Sequence, residues 1–246
     1  MASRQVGATP DDLGRLQALA RRLWSPDRRF HVDDLVWGWH SVPGAAATFR
    51  TAFWQDGEAV LAGAWVEPPG HLELLADPGA ADLLPEVLDW FDSVAAGRDR
   101  SCLVMEGDVQ ERGALRDGGY RPQEGGPFFP RHAHDLVALP EASLPDGFTI
   151  THVTRDDADR RVAAHRAGWS DFGSHVTGES HRRVMACPPY RTATDLVVVS
   201  PGGEGVASAL GWAGTTRPPG PAWSSPSPVL PRSGAAAWPG RSTSPS

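Results

Sequence analysis

Leu13, Leu16, Leu19 and Leu23 recur at three- and four-residue spacing, which places them on one stripe of a helix and predicts an amphipathic, core-facing element near the start of the chain. Thr9 or Asp11 stands where a side-chain oxygen caps free helix amides. Two apolar runs, 48–53 and 60–66, flank Gln55, Asp56, Gly57 and Glu58; Asp-Gly between apolar runs is the signature of a tight hairpin. A strand is predicted over 71–75. It is followed by a helix in which Leu84, Val87, Leu88 and Phe91 occupy i, i+3, i+4 and i+7. A strand over 102–106, a short helix near 109–116 and a strand over 134–139 complete a mixed α/β order, with helices crossing between strands.

The pattern then starts again. At an offset of about 145 residues, Thr9, Asp11, Asp12, Trp24 and Ser25 align with Thr154, Asp156, Asp157, Trp169 and Ser170, and a short slip brings Trp65 opposite Trp212. Each copy reads as a helix, a Trp-Ser loop, a second short helix and two strands about a turn. In the second copy, runs at 195–199 and 206–212 flank Pro201, Gly202, Gly203 and Glu204. Gly202 and Gly203 lie between two strands, so they read as a turn and not as a nucleotide loop. The expected organisation is a domain over 1–140, a linker over 141–146, and only the first half of a second domain over 147–213.

Composition narrows the partners. A formal net charge of −7 with no long basic block argues against nucleic acid, because phosphate neutralisation needs clustered cations. The isolated pairs Arg28-Arg29 and Arg182-Arg183 do not supply them. No apolar run reaches membrane-spanning length and residues 1–10 lack the apolar centre of a signal peptide, so a cytoplasmic protein without membrane contact is expected. Cys102 and Cys187 form no metal-type pair and read as buried free thiols. His165, His175 and His181 have no ligand spacing and read as solvated or capping residues, with no metal expected. Asp11-Asp12 and Asp156-Asp157 read as helix-start charges.

Residues 214–246 break the pattern. They contain no acidic residue, no His and three Arg, and are rich in Pro, Ser and Gly. A one-base shift of reading frame is testable on the protein, since each shifted codon takes two bases from a known residue. In a GC-rich frame Gly234, Ala235, Ala236 and Ala237 become Arg or Gly and Trp238 becomes Leu or Val. The chain has no Lys, no Asn and one Ile, Ile150, which fits GC-rich coding. The expectation is a frameshifted, disordered tail replacing a strand, an Arg-Gly-rich loop and a helix start; the alternative is a natural disordered Pro/Ser tail.

The element order, the Trp-Ser loop, the hairpin and Gly118-Gly119-Tyr120 together resemble a tandem acetyltransferase of the GNAT family. The resemblance implies a tandem acyl-CoA N-acyltransferase fold, with acetyl-CoA as co-substrate and a small-molecule or peptide amine as acceptor. Such an enzyme binds the CoA pyrophosphate at a glycine-rich helix start, polarises the thioester carbonyl and removes a proton from the amine. The first copy lacks the family's Arg/Gln-x-x-Gly-x-Gly/Ala loop: its stretch from Ala76 to Asp82 has no Arg and carries Asp77 and Asp82, whose charge opposes phosphates. Leu115 stands near the family's acid tyrosine and cannot protonate a thiolate. The first copy is therefore expected to be complete but degenerate. No cofactor-binding or catalytic residue is assigned in the chain as written.

What remains of the resemblance is the acceptor side, Trp169, Tyr190 and Trp212, with Ser170 and Phe172 beside Trp169; a role for these aromatics as core or seam filling stays open. Two functions follow. One is an N-acetyltransferase whose present chain is truncated and weakly active or inactive; the other is a non-catalytic interaction or regulatory protein. A half-domain ending near Trp212 would leave a strand edge free for self-association.

Overall fold

The computed structural model describes residues 3–6, 11–25, 28–125, 130, 132, 137–139 and 141–212. Its class is mixed α/β, with two sheets. The first part of the chain runs β1 (Ser3–Val6), α1 (Asp12–Leu23), α2 (Val32–His40), β2 (Arg50–Asp56), β3 (Ala59–Glu67), β4 (His71–Ala76), α3 (Leu84–Val94), β5 (Ser101–Cys102) and α4 (Val109–Asp117). The strands lie in the order β1-β2-β3-β4-β5, antiparallel except for the parallel β4–β5 pair.

Alternation along β2 and β3 divides this sheet into two apolar faces. Ala52, Trp54, Ala62, Ala64 and Val66 lie under Leu84, Val87, Leu88 and Phe91 of α3. Phe53, Trp65 and Leu75 pack against Leu16 and Leu19 of α1 and Leu35 of α2. The Leu stripe of α1 thus faces the core as its spacing predicts. Its start differs: Asp11 makes no side-chain cap, and Thr9 lies outside the described residues. Asp12 is fully buried and accepts from the Thr51 hydroxyl, tying the helix start to β2. Gly57 takes the left-handed conformation (φ 58°) that the Asp-Gly turn requires.

The strand expected over 102–106 is much shorter. β5 pairs only through Ser101 and Cys102. The Leu103 carbonyl, which would continue the ladder, accepts from the Arg29 guanidinium at 2.7 Å, and Asp108 N closes a turn onto Met105 O at 3.0 Å. Asp108 then caps α4 by accepting from Glu111 N at 3.0 Å. Tyr120 follows Gly119 (φ 83°), stacks on Phe91 and donates to Asp92. Of the strand expected over 134–139, residues 137–139 are described and are not a strand, while 134–136 lie outside the described residues.

The second part runs β6 (Thr149–His152), α5 (Ala158–Gly168), α6 (Gly178–Ala186), β7 (Asp195–Val199) and β8 (Gly205–Leu210). It forms an antiparallel sheet in the order β6-β7-β8. α5 lies over β8 so closely that a Cβ on Gly205 would sit 2.6 Å from the Arg160 carbonyl, which is why glycine opens that strand. β8 ends at Leu210, short of the expected 212, where Gly211 N turns to donate to Thr194 O at 2.7 Å.

The two parts touch directly. Ser180 Oγ of α6 donates to Ser41 O at the end of α2 (2.7 Å), both residues being buried, and Gln17 Nε2 of α1 donates to Pro188 O at 3.1 Å. The expected tail, 214–246, lies outside the described residues.

Candidate functional site

The seam between the two parts is organised by one carboxylate. Asp195, at the start of β7, has no solvent exposure. His181 Nε2 of α6 lies 2.8 Å from its Oδ2, the Tyr190 hydroxyl donates to the same oxygen at 3.0 Å, and Arg161 Nε of α5 donates to Oδ1 at 3.3 Å. Arg161 and His181 are as buried as their partner. Removing such charges from water is tolerable only because they face each other. Satisfaction is incomplete: His181 Nδ1 and Arg161 Nη1 have no hydrogen-bond partner among the described residues.

Trp37 of α2 roofs this group from the other side of the seam. The Arg161 guanidinium carbon lies 5.3 Å from its ring centre, and the His165 and His181 rings meet it edge-on at 5.3 and 6.3 Å. Burial, then the nearby positive charges of Arg161 and His181, push His165 down to about 4, so it is neutral at physiological pH. Burial, then the charge of Asp195, pushes the Tyr190 hydroxyl far above its ordinary value. Tyr190 is therefore a poor proton donor for catalysis.

The three sequence-predicted residues fall around this hub without forming one pocket. Tyr190 and Trp212 meet edge to face at 6.4 Å. Trp169 sits on the far side, 6.0 Å from His165 and 5.4 Å from Phe172, with 37 % of its surface exposed. The expectation that His165 and His181 are solvated or capping is corrected: both pack into the seam, His181 completely. A signal for this existed in the repeat. At the 145-residue offset Arg161 and His181 fall opposite Leu16 and Val36, both core residues. Polar residues at core positions need partners, and Asp195 supplies one.

A second location follows β4, where the resemblance would put a phosphate loop. Asp77 Oδ1 accepts from Gly79 N at 2.9 Å, and the Asp77 carboxylate is also paired with Arg22. The Gly79 hydrogen bond, then Arg22, holds Asp77 below the usual carboxylate range. The short helical turn Pro78–Leu83 therefore begins with an amide already bound to an internal anion.

Beside it, the chain's departure from the sheet after Cys102 leaves a narrow cleft between β4 and α4. Leu72, Leu74, Leu88, Cys102 and Leu115 line it, with Glu111 as its carboxylate. Burial, then the neighbouring charge of Asp108, pushes Glu111 up to about 7, against the pull of Arg28 and Arg29. Both Arg are engaged, Arg28 with Asp108 at 3.1 Å and Arg29 with Glu73 at 2.7 Å. Leu115 packs against the core. Cys102 and Cys187 are unpaired and partly buried, and burial pushes the Cys102 thiol up to about 11, so it is not a nucleophile at neutral pH.

Among the described residues no three His, Cys, Asp or Glu converge as a metal site, and no helix is long and apolar enough to cross a membrane. No family model and no curated protein matches the chain. Solved structures that it resembles include the tandem GNAT protein from the clavulanic acid biosynthesis pathway, without acetyl-CoA. That match has a TM-score of 0.46 and 14 % identity, and covers 85 % of this chain and 73 % of that one. Another is a GCN5-related N-acetyltransferase from Sphaerobacter thermophilus, with a TM-score of 0.45 and 13 % identity, covering 87 % and 72 %.

Proposed function

We propose that this chain is a GNAT-type relative of enzymes that move an acetyl group from acetyl-CoA to a small-molecule or peptide amine, and that the chain itself has little or no such activity. The family reading rests on the sequence resemblance. The loss of activity rests on one observation: the Gly79 amide that would face a pyrophosphate is bound to Asp77, and Arg22 is spent on the same carboxylate. An anionic ligand there would have to displace a capping carboxylate and meet its charge. In the second part of the chain, Tyr190 has its hydroxyl committed to Asp195. Tyr190, Trp212 and Trp169 therefore offer aromatic surface, and not acid chemistry, to an amine acceptor.

A non-catalytic interaction or regulatory role is the second reading, favoured by the buried seam, which holds the second part of the chain in place without building a reaction centre. Calorimetric titration of the full chain with acetyl-CoA, alongside an acetylation assay on polyamine and peptide acceptors, tests the proposal. We expect no saturable binding at micromolar concentration and no turnover. Tight binding with enzymatic turnover would sink the inactive reading; sequencing the coding DNA beyond codon 205 tests separately whether a shifted frame encodes an Arg-Gly-rich loop.

A further inference from the structure

β8 has a neighbour on one edge only among the described residues, namely β7. β3 has the corresponding place in the other sheet, as second strand of its hairpin, and carries β2 on one edge and β4 on the other. The β8 sequence, Gly-Val-Ala-Ser-Ala-Leu, contains no charge and no proline. It therefore carries neither the charge nor the proline that keeps many edge strands from pairing. Val206 on this strand is 47 % exposed, and Ile150 on β6 of the same sheet is 45 % exposed.

The sequence itself argues about what could occupy the edge. Downstream, Pro218, Pro219, Pro221, Pro226, Pro228 and Pro231 make 218–231 a poor partner for the edge, because proline has no amide to give a ladder, while 232–238 is free of proline. β8, by contrast, is complementary to itself. Antiparallel pairing about a two-fold axis through Ser208 sets Val206 against Leu210 of the partner subunit, Ala207 against Ala209 of the partner subunit, and Ser208 against Ser208 of the partner subunit. Each pair shares a face of the sheet, because side chains alternate with period two. The pairs are apolar against apolar and hydroxyl against hydroxyl, so no like charges meet along the strand.

We propose that β8 joins the β8 of a second copy of this chain, antiparallel, to make a continuous six-stranded sheet across a two-fold axis. This surface stands apart from any acetyl transfer, so the result bears on it whether or not the chain binds acetyl-CoA.

Light scattering of the full chain across a concentration series should give the mass of a dimer, with Val206→Lys weakening association at least tenfold and leaving the circular dichroism of the folded chain unchanged. Ser208→Cys supplies a second test that does not depend on weakening anything: thiols opposite one another across the axis should link under mild oxidation. Peptide mapping should find the 208–208 disulfide, while Ile150→Cys gives none. A wild-type chain that stays monomeric overturns the proposal in favour of an edge covered by the same chain. A dimer that Val206→Lys leaves intact and position 208 fails to cross-link overturns it in favour of a different interface.

Discussion

Asp195 is the residue on which the seam depends, because one carboxylate answers Arg161, His181 and Tyr190. Deleting one member of a buried ionic group is costlier than never having built it, since the remaining charges stay buried without a counter-charge. Asp195→Ala is therefore expected to destabilise the fold by about 3–5 kcal/mol, measured by denaturant unfolding; a loss under about 1 kcal/mol would mean that water reaches Arg161 and His181. The residues opposite Arg161 and His181 in the repeat, Leu16 and Val36, are fully buried apolar side chains, so the position is a core site in both halves. This part of the site is legible in the sequence only through the repeat: a charged residue at a core position is visible once the two copies are aligned, whereas His165 and His181 taken singly look like surface histidines. Trp37 could not be found this way, because its partners lie over a hundred residues away and no local spacing links them.

At the scale of elements, periodicity located α1 and α3 because each buries an apolar stripe whose period is set by the helix, and turn residues between apolar runs located the two hairpins. It failed at β5, where a tertiary contact decides: Arg29 takes the Leu103 carbonyl out of the ladder and the chain turns into α4. The same departure buries Glu111 beside Asp108 and gives α4 a pH-dependent start. The folded carboxyl is raised from 4.5 to about 7, so between those values the folded chain keeps a proton that the unfolded chain has lost. Glu111 thus favours folding below pH 4.5, and that contribution is lost as pH rises through 7. Glu111→Gln, which stays neutral, is expected to raise the thermal midpoint at pH 8 and change it little at pH 4.5. Equal midpoints for the variant and the parent chain at both pH values would show that Glu111 ionises freely in the cleft.

At the scale of the whole molecule the question is whether residues 147–212 behave as an appendage. As a sequence they read as the first half of an incomplete domain. In the structure they are tied to the first part of the chain: α6 is hydrogen-bonded through Ser180 to Ser41, and Trp37 covers the Arg161–Asp195–His181 group. The buried apolar residues of the second part are nearly all Ala and Val, among them Val153, Ala164, Val184 and Val197, so a three-stranded sheet resting on them has little apolar burial of its own and draws much of its stability from this contact. Trp37→Ala removes the roof while leaving the helix backbone able to form, at a cost of about 3 kcal/mol. If the seam carries the second part of the chain, amides of β7 and α6 in this variant should exchange with solvent well before those of β3 and β4, and proteolysis should begin within 147–212. If instead both sheets lose protection together, the loss belongs to the shared core around α2, and the second part of the chain is held by contacts other than Trp37. Hydrogen exchange resolved by peptide separates the two outcomes, because each sheet reports its own opening free energy.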